Sequence, residues 1–356
     1  MDSGKKIKVG IGIAIIIIII IGAALVVMEF IDNVEGITGL ITSSVINEGI
    51  TGIIEGSELM GDVSIGVLLP LTGDLSSHGT ENFEAARFGV ITFNEHLDKI
   101  NAPWDLIMVG EDSATNPVIA LEKITSLNAK GIGVVVGVET SSNIKNVKGY
   151  TDANNMLIVS CCSTAPALAI ANDSVYRLAP DDRNQGIALS KLVKDAGIEN
   201  MIIVWRGDVW GDGLSKATKE AFQERGGIVT DDIRYNPESP EFSASVSLLA
   251  EQVQDSVDEY GVDNVAIVYL AFGEVLQFMQ SAASHDILDD VRWFGPDAYT
   301  RDYNLINDPI GAKFAETVQL TTVLVGSSDN DVVKDIDNYV MSTLGRAPNT
   351  YAYSDF

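Results

Sequence analysis

The sequence predicts an α/β protein built as two doubly wound lobes. Short runs rich in Val, Ile and Leu alternate with amphipathic helical patterns from Val63 onward, and such alternation means βαβ units with right-handed crossovers. Most of the strand runs are continuously apolar, as parallel strands buried on both faces must be. The alternation continues to the end of the chain at residue 356, too many units for one ordinary sheet, so two lobes are expected.

Strands are expected over residues 63–69, 106–109, 134–138, 156–160, 201–204, 228–233, 265–270 and 318–325. Thr80 is the expected cap of a helix whose apolar residues Phe83, Ala86, Val90, Phe93 and Leu97 step by three and four. Asn116-Pro117 is a cap-then-proline start for the next. Phe242, Val246, Leu249, Val253, Val257 and Tyr260 form another helical stripe.

The chain begins differently. Residues 1–28 carry Asp2 against Lys5, Lys6 and Lys8, a sum of +2, and of the total of −27 the rest therefore holds −29. Residues 9–28 are uncharged and include seven consecutive isoleucines. At 1.5 Å rise such a run spans about 30 Å, the hydrocarbon thickness of a bilayer. Lysines precede it and Glu29, Asp32 and Glu35 follow, so an uncleaved transmembrane anchor with a cytoplasmic N-terminus is expected. A signal peptide cut near Ala23 or Ala24 competes, but its apolar core is normally shorter, about 7–15 residues. Residues 29–61 repeat Glu-Gly-Ile-Thr-Gly at 35–39 and 48–52. Glycine at that density disfavours helix and strand, so this stretch reads as an acidic spacer, or as isoleucines resting on the membrane surface.

Composition excludes several functions. With 50 acidic residues against 23 basic ones, the electrostatic term that dominates nucleic-acid affinity is repulsive. Two cysteines and three histidines leave almost no material for a structural zinc site and exclude a disulfide framework, and His78, His96 and His285 lack metal-ligand spacing. The glycine-rich stretch at 131–137 enters a strand instead of leaving one for a helix, the wrong order for a dinucleotide fingerprint. No Gly-x-Ser-x-Gly elbow is present, so a hydrolase of that type lacks support. Cys161-Cys162 fits two small buried residues in a tight turn, a vicinal disulfide or a reactive thiol. Asn172 opens a glycosylation sequon.

Small polar residues recur where strands give way to helices. Ser141-Ser142 follow VVVGVE, and Ser163-Thr164 follow MLIVSCC. Each is an expected N-cap. An N-cap beside unpaired N–H groups is also an anion seat, and ligands of open α/β sheets collect beyond strand carboxyl ends.

Several blocks resemble one family. VSIGVLLPLTGDLSSHGTENFEAARFGV, EDSATNPVIALEKITSL, VVVGVETSSNIKNV and MLIVSCCSTAPAL are similar, in order, to the first lobe of type 1 periplasmic binding proteins of the leucine/isoleucine/valine group. IIVWRGDVWGDGLSKATKEAFQERGG and WFGPDAY resemble the second lobe. The likeness runs from about Val63 to Phe356 and is specific because it is collinear. It implies two lobes joined by hinge strands, residues 62–179 with 322–356 and residues 180–321. It also implies a ligand carboxylate against Ser141, the Cys162 backbone and the Thr164 hydroxyl. His78 and Phe272 would stand at aromatic positions against the ligand, and Trp210 would line the face of the second lobe. Asp297 would receive the ammonium group. Taken alone, Asp297 after Pro296 also fits a turn aspartate, and Trp210 and Phe272 fit core aromatics.

The resemblance implies a non-enzymatic, cofactor-free solute-binding protein that hands an amino acid to a membrane permease and its ATPase. A ligand-sensing ectodomain of the same fold is the alternative, as is a binder of an amide or urea-like molecule. Two departures bear on this reading. The chain ends where the family begins another helix and a return strand, which implies truncation. Aspartate at 297 and histidine at 78 alter the expected pocket, which bears on branched-chain specificity.

Overall fold

The computed structural model describes residues 61–326 and 329–356. The expected anchor and nearly all of the spacer lie outside the described residues; among those described, no helix is long and apolar enough to cross a membrane. Among the described residues the contacts form two compact units, 61–64 with 94–107 and 65–93 with the described residues from 108 onward. In the smaller, Val63 N–H donates to the Asp105 carbonyl at 2.9 Å, and the Asn94 amide brackets the Leu106 backbone at 2.8 and 3.0 Å.

Two five-stranded sheets organise the fold. The first holds β1 (Val63–Leu69), β2 (Leu106–Asp112), β3 (Val134–Gly137), β4 (Leu157–Ser160) and β5 (Val175–Arg177) in the order β2-β1-β3-β4-β5. The second holds β6 (Asn200–Arg206), β7 (Ile228–Tyr235), β8 (Val265–Leu270), β9 (Arg292–Gly295) and β10 (Thr321–Thr322) in the order β10-β9-β8-β6-β7. The registered pairs in both sheets are parallel, beginning with Gly66 opposite Val135 and Asn200 opposite Val265.

Helices supply the crossovers. In the first sheet these are α1 (Ser76–Lys99), α2 (Pro117–Ala129) and α3 (Ser141–Asn154), and α4 (Asp182–Asp195) leads to the second. There follow α5 (Val209–Glu224), α6 (Ser243–Tyr260), α7 (Val275–Ala282), α8 (Asp286–Asp289), α9 (Tyr303–Asn307) and α10 (Pro309–Thr317). The C-terminal stretch adds α11 (Asp331–Leu344) and α12 (Ala352–Asp355).

The apolar runs of β6 and β8 are buried from end to end, as their composition requires. Alternate residues face opposite layers. Ile202, Val204, Ile267 and Tyr269 join Val246, Leu249, Val253 and Phe278 in one core. Met201, Ile203, Ala266 and Val268 join Leu189, Val193, Leu214 and Phe222 in another.

Local signals hold at several ends. Asn116 Oδ1 accepts from Val118 and Ile119 N–H at 2.9 and 3.2 Å, with Pro117 opening α2. The stripe from Val246 to Val253 is the buried face of α6.

Four expectations are corrected. The helix expected to start at Thr80 begins at Ser76, and the Thr80 hydroxyl donates inward to the Ser76 carbonyl at 2.7 Å. The cap of α3 is Thr140, whose Oγ1 accepts from Asn143 N–H at 3.1 Å, one residue before Ser141. Ser163 and Thr164 cap no helix; the short 3-10 turn Pro166–Leu168 has Ala165 before it and no side-chain cap bond. The run expected over 318–325 is strand only at Thr321–Thr322; Val318 N–H still closes α10 onto the Phe314 carbonyl, and the run touches β9 on either side through Trp293 N–H to the Val318 carbonyl and Val323 N–H to the Gly295 carbonyl.

Candidate functional site

All seven residues expected at a ligand site line one cleft: His78, Ser141, Cys162, Thr164, Trp210, Phe272 and Asp297. Leu75, Glu139, Thr140, Ala298 and Tyr351 complete its wall. The walls are supplied by the turns that follow β1, β3, β4, β6, β8 and β9 and by the C-terminal segment, the carboxyl ends where open parallel sheets gather ligands.

The turn after β3 is set by its backbone. Gly137 has φ +92° and Val138 φ +49°, a left-handed conformation that a β-branched residue adopts at a cost. Val138 is held there because its N–H donates to the Leu68 carbonyl at 2.7 Å and its carbonyl accepts from Ser160 Oγ at 3.2 Å. The reversal delivers Glu139, Thr140 and Ser141 to the cleft in succession. Ser141 Oγ lies 3.0 Å from Ser163 Oγ and accepts from Ala165 N–H at 3.2 Å, which ties this turn to the one after β4. Arg177 braces the second turn by donating to the Ser163 and Ala165 carbonyls at 3.3 and 2.8 Å.

Cys161 and Cys162 are joined by a disulfide. Of the three readings open at this pair, the bond itself is what the fold contains. Asn82 donates toward both sulfurs at 3.8 and 3.4 Å and accepts from Asn349 Nδ2 at 2.8 Å.

A polar lash fixes the C-terminal segment beside the start of α1. Glu81 accepts from Arg346 Nε at 2.6 Å, from Asn349 N–H at 2.8 Å and from Asn349 Nδ2 at 3.0 Å. Asn349 Oδ1 accepts from Tyr351 N–H at 2.9 Å. This places Tyr351 so that its hydroxyl donates to Asp297 Oδ2 at 2.6 Å.

The opposite wall is aromatic. Trp210 enters on α5, whose cap Asp208 accepts from Gly211 N–H at 2.9 Å. Its ring centroid lies 4.6 Å from that of Phe272. Both rings also belong to a buried core, so the core and lining readings coexist. Behind Phe272 stands the guanidinium of Arg206, 3.8 Å from the ring centroid. Arg206 pairs with Glu274 at 2.8 Å and Asp208 at 2.7 Å. Burial alone would lower its pKa, and those two carboxylates reverse the effect.

Buried acids dominate the electrostatics. Burial raises the Asp297 carboxyl above the ordinary range, against the opposing hydrogen bonds of Tyr351 and Gln185 and the charge of His78. Asp182 is pushed up to about 7, chiefly by burial and then by Asp297 and Asp181, with the Thr164 hydroxyl opposing. Glu139 is raised well above its usual value by burial and by Asp355 and Glu81. No Lys or Arg lines the cleft among the described residues. The arrangement sets hydroxyls and strand-end turns beside desolvated acids, which suits a small molecule with both an anionic and a cationic end.

Tyr351, Glu139 and Asp182 escaped the sequence reading. Glu139, an acid closing the apolar run VVVGV, carried a usable signal; Asp182 and Tyr351 depend on partners far along the chain.

The fold and cleft define a two-sheet binding protein, and comparison with known proteins places the chain. The sequence model of the periplasmic binding protein family matches residues 62–356, and the chain belongs to that family. It is 25% identical over 296 residues to the uncharacterized protein MJ1266 of Methanocaldococcus jannaschii, covering 82% of this chain and 69% of the relative. It is 26% identical over 198 residues to the Leu/Ile/Val-binding protein homolog 3 of Brucella melitensis, covering 54% of this chain and 52% of the relative. The chain thus spans about half the length of that curated relative. A leucine-binding protein of Thermotoga maritima superposes with TM-score 0.65 at 18% identity, over 82% of this chain and 79% of the other. A solute-binding protein of an ABC transporter from R. palustris, in complex with benzoate, superposes with TM-score 0.64 at 17% identity, over 83% and 78%. The fold is therefore that of type 1 periplasmic binding proteins, with two parallel sheets.

Proposed function

We propose that this protein captures an amino acid in the cleft and delivers it to an ABC-type permease and its ATPase. The observation that carries the reading is the pairing of polar groups. Ser141, Thr164 and the Cys162 backbone would hold the carboxylate, while Asp297 would take the ammonium. Trp210, Phe272 and His78 would enclose the remainder. A ligand with a carboxylate and no cation, such as benzoate, would meet Asp297 and Glu139 with no counter-charge from a lining Lys or Arg among the described residues.

Residues 62–179 with 322–356 would form one lobe and residues 180–321 the other. The division of strands between the two sheets supports this, as does the stacking of Tyr339 on Phe88 of α1 at 4.5 Å. Residues 9–28 would tether the protein, leaving the binding lobes extracytoplasmic; the uncharged run and its flanking lysines support that placement.

The test is titration calorimetry on the full chain in detergent micelles, against amino acids, primary amides, urea and benzoate. Binding of at least one amino acid below millimolar concentration is expected, with Asp297→Ala abolishing it and sparing any ligand without an ammonium group. Failure of every amino acid at millimolar concentration would overturn the reading.

A further inference from the structure

Glu139 is a lining acid of the cleft with an unpaired oxygen among the described residues. It is 5% exposed and lines the cavity, yet its Oε2 has no hydrogen-bond partner among the described residues. Its neighbour Glu81 is equally buried and fully engaged, by Arg346 and twice by Asn349. The difference between them lies in their surroundings. Glu81 is held by the polar lash, whereas Glu139 lines the cleft with its Oε2 buried and unpaired among the described residues.

A buried acceptor without a partner is costly, and a hydrogen-bond donor removes that cost. If Asp297 takes the ammonium, and Ser141, Cys162 and Thr164 take the carboxylate, Glu139 is left to meet the rest of the ligand. An aliphatic side chain there would leave the buried oxygen unpaired. An N–H group would satisfy it, and a site built to hydrogen-bond one ligand rejects the analogue lacking the donor.

We propose that Glu139 is a specificity-determining residue, selecting an amino acid whose side chain ends in an N–H donor, amide or ammonium, over an aliphatic one. This rests on the amino-acid reading of the cleft and narrows it. The rise in the Glu139 pKa caused by burial and by Asp355 and Glu81 fits an acid awaiting a partner. A protonated carboxyl pairs with an amide by donating to its oxygen and accepting from its N–H, while an ionised one pairs with an ammonium.

The experiment is calorimetry on the full chain in detergent micelles at pH 7, with leucine, asparagine, glutamine and 2,4-diaminobutyrate as probes. At least one donor-bearing amino acid should bind at least about tenfold more tightly than leucine. Glu139→Leu should erase that preference by about the same factor. Glu139→Gln should keep an amide preference but lose an ammonium one, which separates the two donors. If the wild-type protein binds leucine as tightly as the donor-bearing probes, or if Glu139→Leu keeps their advantage, the proposal falls and the amino-acid reading stands. If no amino acid binds the wild type, both fall together. Wild-type selectivity is decisive by itself should the leucine variant fail to fold.

Discussion

The Tyr351 hydroxyl donates a 2.6 Å hydrogen bond to Asp297 Oδ2, joining the C-terminal segment lashed to α1 with the turn that follows β9. Asp297 is buried, and this bond is the first of the influences that oppose the effect of burial on its carboxyl. Tyr351 thereby favours the charged form of the acid.

Removing the bond should weaken that preference. Tyr351→Phe leaves a buried carboxylate short of a donor, at a cost of about 1–3 kcal/mol. Urea unfolding should report a loss in that range, and affinity for an ammonium-bearing ligand should fall by roughly tenfold at neutral pH. Unchanged affinity across pH 6–8 would show that Asp297 does not depend on Tyr351.

Asp182 carries a pH dependence whose sign follows from its environment. Its carboxyl is raised from an ordinary 3.8 to about 7 by burial. Between those values the folded state holds a proton that the unfolded state has released, so stability falls as pH rises through that window. Below it the contribution is fully present; above it the acid is ionised in both states. Asp297 and Glu139 are shifted the same way, so one substitution reduces the slope without flattening it. Asp182→Asn should lessen the slope between pH 5 and 7 by up to about 1.4 kcal/mol per pH unit, measured as urea midpoints. An identical slope in both proteins would remove Asp182 from this role.

Arg206 and Glu274 form a buried pair, with side chains 7% and 3% exposed and Nη1 2.8 Å from Oε1. Glu274 also accepts from Tyr235 OH at 2.8 Å and Phe272 N–H at 3.1 Å. Arg206→Met should cost about 3–5 kcal/mol because it strands that carboxylate. Adding Glu274→Gln should recover part of the loss, because it removes the stranded charge; the single amide oxygen accepts from Phe272 N–H while the NH2 group turns to the Tyr235 hydroxyl oxygen. Strictly additive losses in thermal or chemical unfolding would mean that the two residues are not coupled.

The legibility of this molecule in its sequence follows the range of each interaction. β1 and β8 were read to the residue because seven and six apolar-rich positions leave little room for another period. β5 and β9 are three and four residues long, and β9 opens on Arg292; runs that short carry no period at all. Thr140 and Ser141 are both competent caps, and only the reversal at Val138 decides between them. The cleft residues gathered because each sits at a strand end or a helix start. Asp297 and Tyr351 lie 54 residues apart, so no local pattern could announce their bond.

Gly273 marks where two walls of the cleft meet. A Cβ there would lie 2.0 Å from the Asp74 carbonyl oxygen, far inside contact distance. The same approach brings Arg206 Nη1 to 4.0 Å from Asp74 Oδ2 and packs Leu75 into one core with Trp210 and Phe272. Gly273 does not have a positive φ, so alanine is acceptable to its own backbone and the clash falls on the apposition alone. Gly273→Ala should therefore hold the 72–75 turn away from the 272–274 segment. Ligand affinity should fall at least about tenfold, some 1.4 kcal/mol, because contacts made only in the apposed state are lost. Ligand-free melting should change little by comparison. Small-angle scattering should show a larger radius of gyration for the variant with ligand than for the wild type with ligand. Equal affinity and equal radius in the two proteins would mean that the Asp74–Gly273 approach is incidental to binding.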